Sequence, residues 1–186
     1  MTMAKIYMVR HGRAAAGFGE SMDPGLDELG RSQAAAVAER LVTLGPIEIL
    51  TSPLARARET AVPLSKAWKI EPDVEHAVAE IPSPKGMTLE ERVAWLRKLM
   101  AGSWRDVSPE LAAWRENCIA TVAALPQDTV VFSHYVAINV IAGAALGDDR
   151  VVVFSPDNCS VTIFETDGEK LRLIEKGHEA SLTKVN

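Results

Sequence analysis

Apolar and polar positions along the chain follow two rhythms. Ile6, Tyr7, Met8 and Val9 form a short, nearly all-apolar run, as expected of a strand buried on both faces of a parallel sheet. The run ends abruptly at Arg10-His11-Gly12. Ile47, Ile49 and Leu50 mark a second buried strand, and Thr129 to Phe132 a third, with Ser133 and His134 at its end. Helical spacing fills the intervals. Ala34, Val37, Ala38, Leu41 and Leu44 recur behind an N-cap at Asp27, and Gly45-Pro46 stops them. Ser52 is the predicted N-cap of the next helix, with Pro53 at its first position. Leu54, Ala57, Ala61 and Leu64 share one face of that helix, which runs to about Trp68 and packs on the sheet.

Ile70 to Glu75 predicts a short strand, and the prolines and glycine of 79–86 a loop. Leu89, Val93, Leu96 and Met100 mark one amphipathic helix. Leu111, Trp114 or Arg115, Cys118, Ile119, Val122 and Leu125 mark another. A helix from about Val136 to Leu146 follows the third strand, and two strands, Ser160 to Glu165 and Leu171 to Lys176, close the chain. Strands alternating with helices predict an α/β fold: a three-layer α/β/α sandwich, with a mostly parallel central sheet and helices on both faces. No repeat or low-complexity linker interrupts it. One domain is expected over 1–186, with a helical excursion at about 87–125 beside the site.

Composition narrows the function classes. The 186 residues are 47% hydrophobic, ample for a core, and carry a net charge of −5, which argues against a nucleic-acid binder. Cys118 and Cys159 lie outside any C-x-x-C pattern and read as buried free thiols in a reducing compartment. There is no leader pattern at the N-terminus. The longest apolar run, Val130 to Leu146, contains Ser133, His134 and Asn139 and is too short and polar to span a bilayer. A cytoplasmic protein with no membrane or nucleic-acid partner is expected; the oligomeric state is left open.

Candidate chemistry collects where strands end. In open α/β sheets, ligands bind beyond the carboxyl ends of strands. Arg10-His11, the stretch Ser52 to Arg56, and His134 all fall there, and Glu80 lies in the loop after the short strand. Imidazoles, guanidiniums and a carboxyl together suit phosphoryl transfer. Guanidinium forks hold a phosphoryl group and balance its charge. A neutral imidazole nitrogen can attack phosphorus if its other N–H is held, most simply by a backbone carbonyl. A carboxylic acid can protonate the leaving alkoxide and then activate water. The rival use of two His and a Glu is a metal site, but no H-E-x-x-H spacing occurs, and Arg10 beside His11 would repel a cation. Gly17-Phe18-Gly19 lacks the further glycine and the strand context of a dinucleotide loop. No cofactor is expected.

Four motifs in order resemble the histidine phosphatase superfamily, which also contains the phosphoglycerate mutases. Val9-Arg10-His11-Gly12 is similar to its signature, and Leu26 to Ala34 to its first-helix pattern. Thr51 to Ala61 resembles its second motif and Phe132-Ser133-His134 its third. Asn158 to Val161 is similar to the segment that often opens the closing strands. The resemblance implies a phosphoglycerate mutase-like fold. It implies His11 as the phosphorylated nucleophile, Arg10 and Arg56 as phosphate clamps, and His134 as a second imidazole donating to the phosphoryl oxygens. Arg56 is preferred to Arg58 on family alignment, since a helical wheel does not decide between them. Glu80 is the implied proton donor, with Glu75, Glu90 and Glu91 as rivals.

The sequence departs from the family after the first motif. Mutases and many phosphatases continue it with Glu, then Ser or Thr, and place an Asn a few residues on. Here Arg13-Ala14-Ala15-Ala16-Gly17 lacks those polar groups, and Arg13 is a candidate for a different contact. The chain is also shorter than typical mutases, which favours hydrolysis over a bisphosphate-primed mutase. The leading expectation is a metal-independent phosphatase of phosphate monoesters, of histidine acid type, acting through a phosphohistidine. The alternatives are a protein phosphohistidine phosphatase and, in another class, a catalytically silent phospho-ligand-binding module. The partner is accordingly a phosphorylated small molecule or a phosphoprotein.

Overall fold

The computed structural model describes residues 3–17 and 20–181. Phe18 and Gly19, in the loop considered for a dinucleotide, lie outside the described residues, as do the first two positions, where a leader was sought. The strands are β1 (Ala4–Arg10), β2 (Glu48–Thr51), β3 (Asp73–Val74), β4 (Thr129–Ser133), β5 (Val161–Thr166) and β6 (Leu171–Glu175). They form one sheet in the order β3-β2-β4-β1-β5-β6. β3, β2, β4 and β1 run parallel, and β5 and β6 join antiparallel at the far side. Register matters most at the carboxyl edge. Arg10 lies opposite Ser133, and Thr51 opposite Phe132. Two further backbone bonds carry the ladder one step on: His11 N donates to Ser133 O (3.0 Å) and Ser52 N to Phe132 O (3.0 Å). The three chain segments therefore leave the sheet at one level.

Alternation along the strands builds two cores. Tyr7, Val9, Val130 and Phe132 face α1 (Glu28–Leu41) and α2 (Ala55–Trp68), meeting Val37, Leu41, Ala57 and Leu64. Ile6, Met8 and Val131 face the other way, against Val122 of α4 (Pro109–Ala123) and Ile138 and Ile141 of α5 (Tyr135–Leu146). Trp95, Leu96, Leu99 and Met100 of α3 (Leu89–Met100) pack against that second core. The result is the expected α/β/α sandwich. α5 is buried at every position from Val136 to Gly143, which explains the long apolar run. Trp104 is buried against Trp114, ring centroids 6.1 Å apart, so these two tryptophans serve the core. Cys118 and Cys159 are buried free thiols. Among the described residues, no helix is long and apolar enough to cross a membrane.

Several local expectations need correction. Asp27 does cap α1, accepting from Gly30 N at 2.7 Å, but α1 stops at Leu41, and Leu44 falls in an exposed 3-10 turn. Ser52 does not cap α2. The chain spends Ser52 to Leu54 leaving the sheet edge, so the helix opens at Ala55, with Leu54 as an N-cap lacking a side-chain bond. The missing cap comes from a distance: Asp23 Oδ1 accepts from Ala55 N (2.8 Å). Leu54 consequently faces the site cavity rather than the sheet. The strand expected over Ile70 to Glu75 contracts to Asp73–Val74, an exposed edge segment behind Pro72, whose ring cannot donate to a ladder.

Candidate active site

The sheet edge brings the two histidines together. Their ring centroids lie 5.2 Å apart, the planes tilted by 55°. His11 Nδ1 sits 2.7 Å from its neighbour's carbonyl, Gly12 O. A carbonyl only accepts, so Nδ1 carries the proton and Nε2 keeps its lone pair. Arg56 Nε donates to that Nε2 at 3.2 Å. Burial, reinforced by the charges of Arg56 and Arg10, pushes the His11 pKa down to about 3, so the ring is neutral at ordinary pH. His134 is held well below its usual range, chiefly by burial and then by His11, Arg56 and Arg10. Both rings are nonetheless framed by cations.

The backbone around His11 is fixed from several directions. Gly12 N donates to Thr60 Oγ1 (3.0 Å), and Asn158 Nδ2 donates to His11 O (2.9 Å). Gly12 serves close approach rather than a left-handed turn: a Cβ there would meet Gly30 O at 2.5 Å. Gly30 is equally constrained, since a Cβ would meet Arg13 O at 2.1 Å. The first motif and the start of α1 thus pack backbone to backbone.

Arg10 donates from Nη1 to Pro156 O (2.9 Å), and its guanidinium lies 5.1 Å from the Tyr135 ring centroid. Its Nε has no partner among the described residues. Glu80 accepts from Ile81 N (3.1 Å) and, at the start of α5, from Val136 N (3.2 Å). Burial raises its pKa against the opposing pull of Arg56, those two amides and Arg10, favouring the protonated acid. Arg10, His11, Arg56 and Glu80 all line one cavity of about 850 Å³. His134 does not line it; the ring is wholly buried behind, with Nε2 2.7 Å from Ser52 Oγ.

The rival residues fall elsewhere. Arg58 is exposed and outside the cavity lining, while Arg56 is buried in it. Glu75 caps the 3-10 turn His76–Val78 through Ala77 N, and Glu91 closes the capping box of α3 with Thr88. Glu90 also lies outside the lining, and His76 and His178 are exposed. Arg13 reaches the cavity but its Nε is paired with Asp27.

Of the helical excursion, α3 supplies the wall through Arg92, Leu96 and Met100, and no α4 residue contributes. Arg92, Tyr135 and Asn158 line the cavity too and were not singled out from the sequence. Arg92 is buried and donates to Ser83 Oγ (2.7 Å) and to Met22 Sδ, yet within Glu-Glu-Arg it reads as a solvated helix face. Only Asn158 carried a signal, as the first residue of a family-like segment. Among the described residues, no three His, Cys, Asp or Glu side chains gather as a metal-ligand set.

A neutral imidazole, two buried guanidiniums and a half-buried carboxyl meet in a parallel-sheet crevice, a set of groups suited to an anion. Comparison with known proteins agrees. Residues 6–178 match the histidine phosphatase superfamily (branch 1). The chain is 29% identical over 167 residues to a probable phosphoglycerate mutase GpmB of Photorhabdus laumondii, covering 78% of this chain and 76% of that protein. It is 30% identical over 160 residues to a glucosyl-3-phosphoglycerate phosphatase of Mycolicibacterium vanbaalenii, covering 82% and 68% respectively. Among solved structures, Bacillus stearothermophilus YhfR superposes with a TM-score of 0.76 at 21% identity, covering 96% of this chain and 98% of that one. A phosphoserine phosphatase of Entamoeba histolytica, in complex with 3-phosphoglyceric acid, gives 0.73 at 21%, covering 94% and 97%. The chain belongs to the histidine phosphatase superfamily.

Proposed function

We propose that this protein is a phosphatase that hydrolyses phosphate monoesters through a phosphohistidine on His11. One observation carries the reading: His11 is held by Gly12 O at Nδ1 and presents Nε2 to the Arg56 guanidinium. That is a nucleophile with its lone pair aimed at a cation, where an anion binds. The ester's phosphoryl group enters between Arg10 and Arg56, and Arg56 exchanges the ring nitrogen for a phosphoryl oxygen. His11 Nε2 then forms a bond to phosphorus as the ester P–O bond breaks, and Glu80 gives its proton to the leaving oxygen. In the second step Glu80, now a carboxylate, takes a proton from water. The resulting hydroxide attacks phosphorus, the P–N bond breaks, and phosphate leaves. Arg10 and Arg56 supply the charge balance, so no divalent metal is required for it.

Relatives carry the names of phosphatases and mutases, and the phosphatase side is favoured by Glu80, an acid placed to serve both halves of hydrolysis. A small-molecule substrate is favoured over a phosphoprotein by the cavity, whose 850 Å³ exceeds what a phosphoryl group fills and is walled by Ala14, Met22, Met87, Leu96 and Met100. The test is turnover of p-nitrophenyl phosphate in EDTA. Wild type is expected to turn over and to take acid-labile phosphate on His11. A His11→Ala variant with near wild-type turnover ends the proposal, and a wild type that binds phosphate without turnover leaves the silent binding module.

A further inference from the structure

Freed from capping α2, Ser52 is wholly buried, and its Oγ lies 2.7 Å from His134 Nε2. We propose that Ser52 is the positioning residue of the second imidazole. Its hydroxyl donates to His134 Nε2, fixes the ring as the Nδ1–H tautomer, and makes that N–H a donor to a phosphoryl oxygen on His11. Only this last step rests on the phosphatase reading.

The assignment follows from donor and acceptor accounting. Ser52 Oγ already accepts from Leu54 N (3.2 Å). Its own hydrogen needs an acceptor, and among the described residues His134 Nε2 is the one bonded to it. A neutral imidazole carries one N–H. Were it at Nε2, two donors would point at Ser52 Oγ, the serine hydrogen would have no acceptor, and His134 Nδ1 would be a bare lone pair. With Ser52 donating, one unpartnered group remains: the N–H of His134 Nδ1, which is buried and has no partner among the described residues. A buried donor without an acceptor is destabilising. On the proposal, an oxygen of a phosphoryl group on His11 supplies the acceptor, the two ring centroids being 5.2 Å apart. His134 is also the N-cap position of α5, with extended backbone and no side-chain capping bond, so no helix duty competes for the ring. Both histidines then share one tautomer with opposite duties. His11 gives its Nδ1–H to the backbone and attacks with Nε2; His134 gives Nε2 to Ser52 and donates with Nδ1.

Long-range 1H–15N correlation spectra of the resting protein read the tautomers directly. The chain holds four histidines, and His134→Gln identifies the second ring by the signal it removes. The expected wild-type pattern is Nδ1–H, giving way to a mixture in Ser52→Ala. That variant is expected to lower kcat on p-nitrophenyl phosphate by about 10- to 100-fold while KM moves by less than about threefold. Ser52→Thr, which keeps a hydroxyl, is expected to stay within about threefold of wild type. An Nε2–H pattern for His134 in the wild type overturns the proposal whether or not Ser52→Ala folds, and so does wild-type kcat in Ser52→Ala. The tautomer is read without turnover, so this result is separable from the His11 test.

Discussion

Acidification is the sharpest probe of the buried His11 ring. Folding holds His11 to a pKa of about 3, against 6.5 for a free imidazole, through burial first and the Arg56 and Arg10 charges second. Below pH 6.5 the unfolded chain takes up a proton that the folded protein refuses. Stability is therefore full above that pH and declines as pH falls toward about 3, where the folded state also protonates. At about 1.36 kcal/mol per pH unit, the whole window is worth about 5 kcal/mol, and the part down to about pH 4 about 3 kcal/mol. His11 is 8% exposed, so solvent screening removes little of this. The assay is urea unfolding of wild type and His11→Gln between about pH 7 and pH 4. Glu80 and His134 titrate in both proteins; the His11 charge also holds His134 down in wild type, so the acid-side loss in the difference belongs to the two rings together. Wild type should lose about 3 kcal/mol more than the variant. Parallel pH profiles would falsify the claim that a neutral, cation-framed ring sits at the centre of the site.

Three further outcomes follow from the same geometry. Glu80→Gln is expected to lower kcat about 100-fold or more on an alkyl phosphate and far less on p-nitrophenyl phosphate, whose leaving group needs no proton; equal losses on both would remove Glu80 as the acid. Gly30→Ala is expected to destabilise the fold by about 3 kcal/mol in denaturant, because the new Cβ meets the Arg13 carbonyl at 2.1 Å; an unchanged midpoint would show that the α1 backbone yields freely. Inorganic phosphate at about 100 times its Kd should stabilise wild type by about 2.7 kcal/mol, while Arg56→Ala should need about tenfold or more phosphate for the same gain; equal phosphate dependence in the two proteins would take Arg56 out of the binding site.

The parallel strands and the two-faced core were legible in the sequence because period and apolarity are local signals. Val9-Arg10 and Phe132-Ser133 mark strand ends in the chain itself, and their register places them at one level. What stayed illegible depends on long-range partners. Asp23 caps α2 across a loop, so Ser52, a good local cap, was free for His134. Arg92 looks solvated because its neighbours in sequence are charged, while its buried surroundings come from the loops that carry Met22 and Ser83. The choice of Arg56 over Arg58 was likewise unavailable to a helical wheel. It depends on α2 opening only at Ala55, which puts Arg56 in the first turn, over the cavity, with Arg58 outside.

The same long-range view explains why the site tolerates so much buried polarity. Among the described residues, four buried polar side-chain atoms lack partners, and two of them, Arg10 Nε and His134 Nδ1, belong to this site. Both are N–H donors on the proposed assignment, and each costs about 1–3 kcal/mol unpaired. The acceptors around them are occupied: Gly12 O by His11, Pro156 O by Arg10 Nη1, His11 Nε2 by Arg56. An oxyanion with several lone pairs can satisfy both donors together while meeting two guanidinium charges. A neutral ligand of the same size offers the acceptors but not the charge. An oxyanion is therefore the class of ligand these donors suit, and the unpaired N–H groups point to it independently of His11.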